Sequence, residues 1–164
     1  MKYTFLTEKF YNDYPNEKYP QIVIKENRPY AHVEVELYNR LFCIPLRSNI
    51  DHPHAYFTNK REHCGLDYSK AIVVLNDNYI DKTRKAFLRP DEYSRLRGKD
   101  FIIKRQFMNY IELYKQAKVD MTVNHREDIL NFSTLQYFEE YIYTDIEKDI
   151  DTNIDEEDKN KDTN

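Results

Sequence analysis

The sequence predicts an α+β domain, because strand-like and helix-like patterns are segregated into its two halves. In the first half, short runs rich in β-branched and aromatic residues are separated by turn formers. In the second, apolar residues recur at helical spacing behind cap and glycine-stop signals. Length sets the third bound: 164 residues make one domain, large enough to bury a core without a disulfide or metal staple.

Strands are expected at residues 2–6, 21–25, 31–37, 40–45 and 70–75. Residues 31–37 alternate with period two, with Ala31, Val33, Val35 and Leu37 on one face and His32, Glu34 and Glu36 on the other. Tyr38-Asn39-Arg40 is a tight connection into Leu41-Phe-Cys-Ile44, which gives a hairpin. Pro29 has no N–H and stands where the hairpin's first strand begins, a tolerated place. Residues 91–97 form a short helix closed by a left-handed Gly98. Asp100 then caps a longer helix to about Lys118, with Ile103, Phe107, Ile111 and Tyr114 as its apolar stripe and Lys104, Arg105, Lys115 and Lys118 off it. Ser133-Thr-Leu-Gln136 is a capping box opening a last helix through Tyr137, Phe138 and Tyr141. The domain is expected to span residues 1–144, and 145–164 to be an acidic, flexible tail.

Composition excludes several function classes. There are 15 Tyr, 9 Phe and no Trp, but only two glycines, Gly65 and Gly98. No GxGxxG and no P-loop can be written, which removes dinucleotide enzymes and NTPases. Cys43 and Cys64 make neither a disulfide framework nor a zinc pattern. The longest apolar runs fall far short of the ~20 residues of a membrane span, and the N-terminus lacks a signal-peptide core of ~7–15 apolar residues. A reduced, cytoplasmic protein with no membrane partner is expected.

The formal net charge of −4 is unevenly spread. Residues 145–164 carry nine acids and three lysines, whereas residues 80–118 carry eleven Lys/Arg against five Asp/Glu. A basic surface is thus followed by an acidic tail.

The densest polar cluster is Pro45-Leu-Arg-Ser-Asn-Ile-Asp-His-Pro-His54, directly after a strand. Arg47 offers a charged fork for a phosphate, Ser48 and Asn49 short donors, and His52 and His54 groups that titrate near neutral pH. Phosphodiester transfer needs these parts: a cation, a proton acceptor and a donor for the leaving oxygen. The plainer alternative is a surface loop whose Ser, Asn and Asp make turns. A metal site from His52, His54 and His63 lacks further evident ligands, and Cys64 lacks an evident base. No metal and no cofactor are expected. Cations next to rings in Arg28-Pro-Tyr30, Tyr56-Phe57 and Lys60-Arg61 suggest RNA stacking, although most aromatics must form the core.

Arg28-Pro-Tyr before a hairpin into Ile44-Pro-Leu-Arg-Ser-Asn-Ile50, then Gly65-Leu-Asp-Tyr-Ser-Lys-Ala71, resembles the ToxN/AbiQ superfamily of type III toxin–antitoxin endoribonucleases. The Pro-Leu-Arg-Ser-Asn-Ile form is closest to its TenpN and CptN branches. The resemblance spans roughly residues 3–118. It implies a bent antiparallel, barrel-like sheet with packed helices, similar to MazF/Kid RNase toxins. It also implies metal-independent cleavage of cellular mRNA through the substrate's 2′-hydroxyl. The implied partner is a repeat-derived pseudoknot antitoxin RNA, which the toxin processes and binds in a heteromeric assembly with more than one toxin copy. By position, the implied site is Arg28, Arg47 and Ser48. Where ToxN-like members have a Lys two residues after the serine, this chain has Ile50, so that role is vacant or passes to His52, His54 or Lys70. The expected RNA-contacting set is Tyr30, Asn49, Lys60, Arg61, Lys70, Arg84, Lys104 and Arg105. A MazF-like toxin with a protein antitoxin and a non-catalytic RNA-binding regulator are the rival readings.

Overall fold

The hairpin at the centre of the fold is closed by two residues, Tyr38 and Asn39, both with φ near 52°. Positive φ at both positions is what a type I′ turn requires, and that turn matches the right-handed twist of its flanking strands. It joins β2 (His32–Leu37) to β3 (Arg40–Arg47) in antiparallel register, with Leu37 opposite Arg40 and His32 opposite Pro45. A computed structural model describes residues 1–25 and 30–143 of the chain. The expected acidic tail and Arg28 lie outside the described residues.

Around this hairpin the chain runs β1 (Lys2–Thr4), α1 (Glu8–Asp13), the hairpin, β4 (Ala55–Asn59), β5 (Cys64–Asp67) and β6 (Ile72–Val73). Four helices follow: α2 (Pro90–Leu96), α3 (Asp100–Val119), α4 (Arg126–Phe132) and α5 (Glu139–Tyr143). The architecture is α+β. Its six-stranded antiparallel sheet has the order β1-β2-β3-β5-β4, with β6 also on β3, and it is not closed into a barrel. β3 holds the sheet together by changing partners along one edge. Phe42 and Cys43 pair with β6, then Leu46 and Arg47 pair with β5. Helix α3 lays Ile103, Phe107, Ile111 and Tyr114 into the core, as its spacing predicts, and Phe107 meets Phe42 of β3 edge-on at 5.2 Å.

Several elements differ from expectation, each for a physical reason. Residues 21–25 form no strand, because the Gln21 N–H donates to the Tyr137 hydroxyl at 3.2 Å and the Ile22 N–H to the Tyr19 carbonyl at 3.0 Å. The strand expected over 70–75 shrinks to Ile72–Val73, since Asp67 caps a 3₁₀ turn at Tyr68–Lys70 that interrupts it. His32 is buried although the alternation puts it on the polar face. Asp100 is the first helical residue and not the cap, and its carboxylate pairs with the Met1 ammonium at 2.8 Å. Lys115 is buried, paired with Glu112 at 2.9 Å and lying over the Tyr38 ring at 5.2 Å. Ser133 does cap, but it opens a 3₁₀ turn at Thr134–Tyr137, and the Gln136 amide donates to the Ser133 carbonyl at 2.7 Å. Gly98 has the left-handed φ of 72° expected of a helix stop.

Candidate functional site

Three strands converge where β3 ends, and glycine permits it. Gly65 pairs with Arg47 of β3 on one side and Phe57 of β4 on the other. A Cβ at Gly65 would stand 2.2 Å from the Tyr56 carbonyl oxygen and 2.8 Å from the Phe57 Cα. Only a residue without a side chain allows this approach. Two residues on, β5 ends at Asp67, whose carboxylate is fully buried between the strand ends.

Asp67 gathers the polar groups of the site. Its Oδ1 accepts from the Ser69 N–H at 3.0 Å and the Ser69 hydroxyl at 2.6 Å, while Oδ2 accepts from Nη1 of Arg47. His52 Nε2 stands 3.4 Å from Oδ1 and 3.2 Å from Ser69 Oγ. Burial alone would raise the Asp67 carboxyl. The His52 and Ser69 hydrogen bonds and the nearby positive charges outweigh it, holding Asp67 below the ordinary carboxylate range. Arg47 and His52 remain reachable, with 21% and 27% of their side chains exposed. Nε of Arg47 and Nδ1 of His52 are sealed from solvent and have no hydrogen-bond partner among the described residues.

The loop between β3 and β4 is fixed at both ends. The Ile50 N–H donates to the His63 carbonyl at 3.0 Å, and His63 Nδ1 returns to the Ile50 carbonyl at 2.9 Å. The Tyr68 N–H donates to the His54 carbonyl at 3.1 Å. His54 stacks on His52 with ring centres 5.8 Å apart and leans on Tyr110 at 5.1 Å. Its pKa is lowered by burial and then by its neighbour His52. Lys70, at the end of the 3₁₀ turn, donates to Gln21 Oε1 at 2.7 Å and to the Phe132 carbonyl at 2.6 Å. Burial lowers its ammonium to about 8.

Arg47, His52 and His54 are therefore brought together, and Lys70 lies in the electrostatic field of Asp67 and Arg47. Ser48 and Asn49 follow Arg47 on the exposed start of the loop, Asn49 with a left-handed φ of 58°. Tyr30 is half-buried under Lys25, which lies 4.6 Å from its ring centre. Lys60 and Arg61 are exposed in the β4–β5 turn, and Lys104 and Arg105 on α3. Arg84 is held elsewhere, ion-paired with Asp81 and lying 5.1 Å from the Phe5 ring centre. Among the described residues, no group of three or more His, Cys, Asp or Glu is placed to hold a metal ion, and no helix is long and apolar enough to cross a membrane. Sequence reasoning missed Asp67 and Ser69 as site residues. Their signal is the Asp-x-Ser spacing of a side-chain-capped turn in Gly65-Leu-Asp-Tyr-Ser-Lys-Ala71.

No protein-family model and no curated protein matches the chain. A solved structure does, described by the words "A processed non-coding RNA regulates a bacterial antiviral system", at 16% identity and a TM-score of 0.53. The match covers 78% of this chain and 98% of that one. The chain thus has the α+β fold of a protein from an RNA-regulated bacterial antiviral system.

Proposed function

We propose that this chain is a metal-independent endoribonuclease toxin of a type III toxin–antitoxin system. The observation that carries the reading is the Arg47–Asp67–His52 cluster at the end of β3. It puts a guanidinium and an imidazole on one buried carboxylate at the point where the Pro-Leu-Arg-Ser-Asn block opens onto the surface. The fold shared with a protein of an RNA-regulated antiviral system supports it.

The chemistry follows from the groups present. The RNA brings its own nucleophile, the 2′-hydroxyl, so the protein needs to align it, balance developing charge and move protons. Arg47, with Arg28, holds the phosphate through charge-assisted bonds. Ser48 orients a phosphate oxygen or the 2′-hydroxyl, and the histidine pair supplies the proton carrier. Products end in a 2′,3′-cyclic phosphate and a 5′-hydroxyl. The substrate is single-stranded mRNA. The inhibitor is a repeat-derived pseudoknot RNA that the toxin also processes and that joins more than one copy of it. Tyr30, Asn49, Lys60, Arg61, Lys70, Lys104 and Arg105 contribute RNA contacts, and Arg84 does so only by giving up its bond to Asp81.

The test is cleavage by purified, RNA-free protein in excess chelator. Single-stranded RNA should be cut at an undiminished rate, and Arg47→Ala should lower that rate roughly 10²–10³-fold while the protein stays folded by circular dichroism. Activity that vanishes with chelator and returns with a divalent ion overturns the metal-independent mechanism. Tight RNA binding without any cleavage points to a non-catalytic regulator.

A further inference from the structure

We infer that Gln106 of α3 reads a nucleobase beside the cut: its side-chain NH₂, held outward by the buried Tyr68 hydroxyl, donates to an acceptor on the edge of that base and so sets sequence preference. The inference rests on the cleavage reading above and deepens it.

Three contacts tie α3 to the site and place Gln106. Tyr68 follows Asp67 directly in the chain, and its N–H donates to the His54 carbonyl at 3.1 Å. Its side chain then crosses to α3, where the hydroxyl donates to Gln106 Oε1 at 2.9 Å. One helical turn along α3, about 5.4 Å on, Tyr110 packs against the His54 ring at 5.1 Å. Residues four apart share one face of a helix, so Gln106 stands on the edge of α3 that borders the histidine pair. It is exposed there, next to exposed Arg105 and three residues before exposed Asn109. An RNA whose cut phosphate is held at Arg47 and whose strand continues along this edge passes Gln106 with a nucleotide flanking the cut.

The amide has one orientation. Tyr68 is buried, and burial pushes its phenol above the ordinary range, so the hydroxyl keeps its proton and must donate it. Gln106 supplies the acceptor. Turned over, the amide would give an N–H to the phenol oxygen and leave the phenol hydrogen with no acceptor among the described residues. Oε1 is therefore committed to Tyr68. Nε2, with no hydrogen-bond partner among the described residues, keeps both hydrogens for a ligand. Phosphates have cations to go to, Arg47 at the site and Lys104 and Arg105 on α3 itself. A neutral donor of fixed direction discriminates instead. It takes a base that places a keto oxygen or ring nitrogen before it and rejects one that places an amino group there.

The test is cleavage, by the intact protein, of a single-stranded RNA pool randomised on both sides of the cut, with the relative rate of each sequence read from the products. The native protein should favour some bases over others at one flanking position by roughly 3–10-fold, the worth of one hydrogen bond. Gln106→Ala should flatten that preference and keep the order of bases at other positions. Tyr68→Phe should blur it at the same position, because the amide is then free to turn. Gln106→Glu, whose carboxylate only accepts, should favour a base with an amino group there. A uniform loss over all sequences in Gln106→Ala marks a backbone contact and overturns the inference. So does a folded Gln106→Ala or Gln106→Glu protein with native preferences, or a native protein indifferent at every flanking position. If Tyr68→Phe fails to fold, the two variants at exposed Gln106 decide alone. A native protein that cuts no RNA sinks the cleavage reading instead. The bases enriched in RNA retained by the native and Gln106→Ala proteins then judge Gln106 by the same comparison.

Discussion

Two histidines within the same sheet region meet opposite fates, and the cause is what each can bond to. His52 faces a carboxylate, whereas His32 is enclosed between β1 and β3 with Nδ1 unpartnered among the described residues. Burial lowers the His32 pKa from 6.5 to about 4, partly offset by a backbone hydrogen bond at Tyr30. The unfolded chain therefore binds the extra proton first. This contribution to stability is complete above about pH 6.5 and is lost as pH falls toward 4, on the order of 3 kcal/mol in all. Thermal melts between pH 6.5 and 4.5 should show the native melting temperature falling, and a folded His32→Gln variant should show a shallower fall. Equal slopes would mean that His32 is not the group responsible. At this scale the Arg47, His52 and His54 group was legible, because three chemically capable side chains crowd one ten-residue block. Asp67 was not, because its partners lie 15–20 residues upstream and the sheet alone brings them together.

β5 is short, yet it sets the distance between Arg47 and Asp67. At its Gly65 the β4 backbone leaves no room for a Cβ. Gly65→Ala would press a methyl into the β4 backbone, so stability should drop by about 1–3 kcal/mol in urea denaturation. RNA cleavage should fall with it, as Arg47 and Asp67 separate. Full stability and activity in Gly65→Ala would mean that β4 yields freely and that the close approach is unimportant. The hairpin of β2 and β3 was legible from alternation and from Tyr38-Asn39 between the two strands. β4 and β5 were not, because Ala55-Tyr-Phe-Thr-Asn59 and Cys64-Gly-Leu-Asp67 are too short to show a period, and a bulge shifts the register between Phe57 and Asn59. Helix α3 was legible because twenty residues give its apolar stripe more than five turns to repeat.

Over the whole molecule, the division into a sheet-building first half and a helical second half follows the sequence, and the antiparallel sheet with packed helices has the α+β form that the resemblance implied. Charge maps less simply. Of the basic side chains counted over residues 80–118, Lys115 is buried against Glu112 and Arg84 is bound to Asp81, so the cationic surface offered to RNA is smaller than the sequence suggests. At the site, two partly exposed working groups share one hidden carboxylate. On the proposed reading, the substrate carries its own nucleophile, the 2′-hydroxyl. The most direct measurement is the chemistry of the ends left by the purified protein on a defined single-stranded RNA, with a companion RNA carrying a single 2′-deoxy nucleotide at the cut position. A 2′,3′-cyclic phosphate, a 5′-hydroxyl and complete resistance of the deoxy RNA are expected. A 5′-phosphate end, or cleavage of the deoxy RNA at the same position, would contradict the assignment.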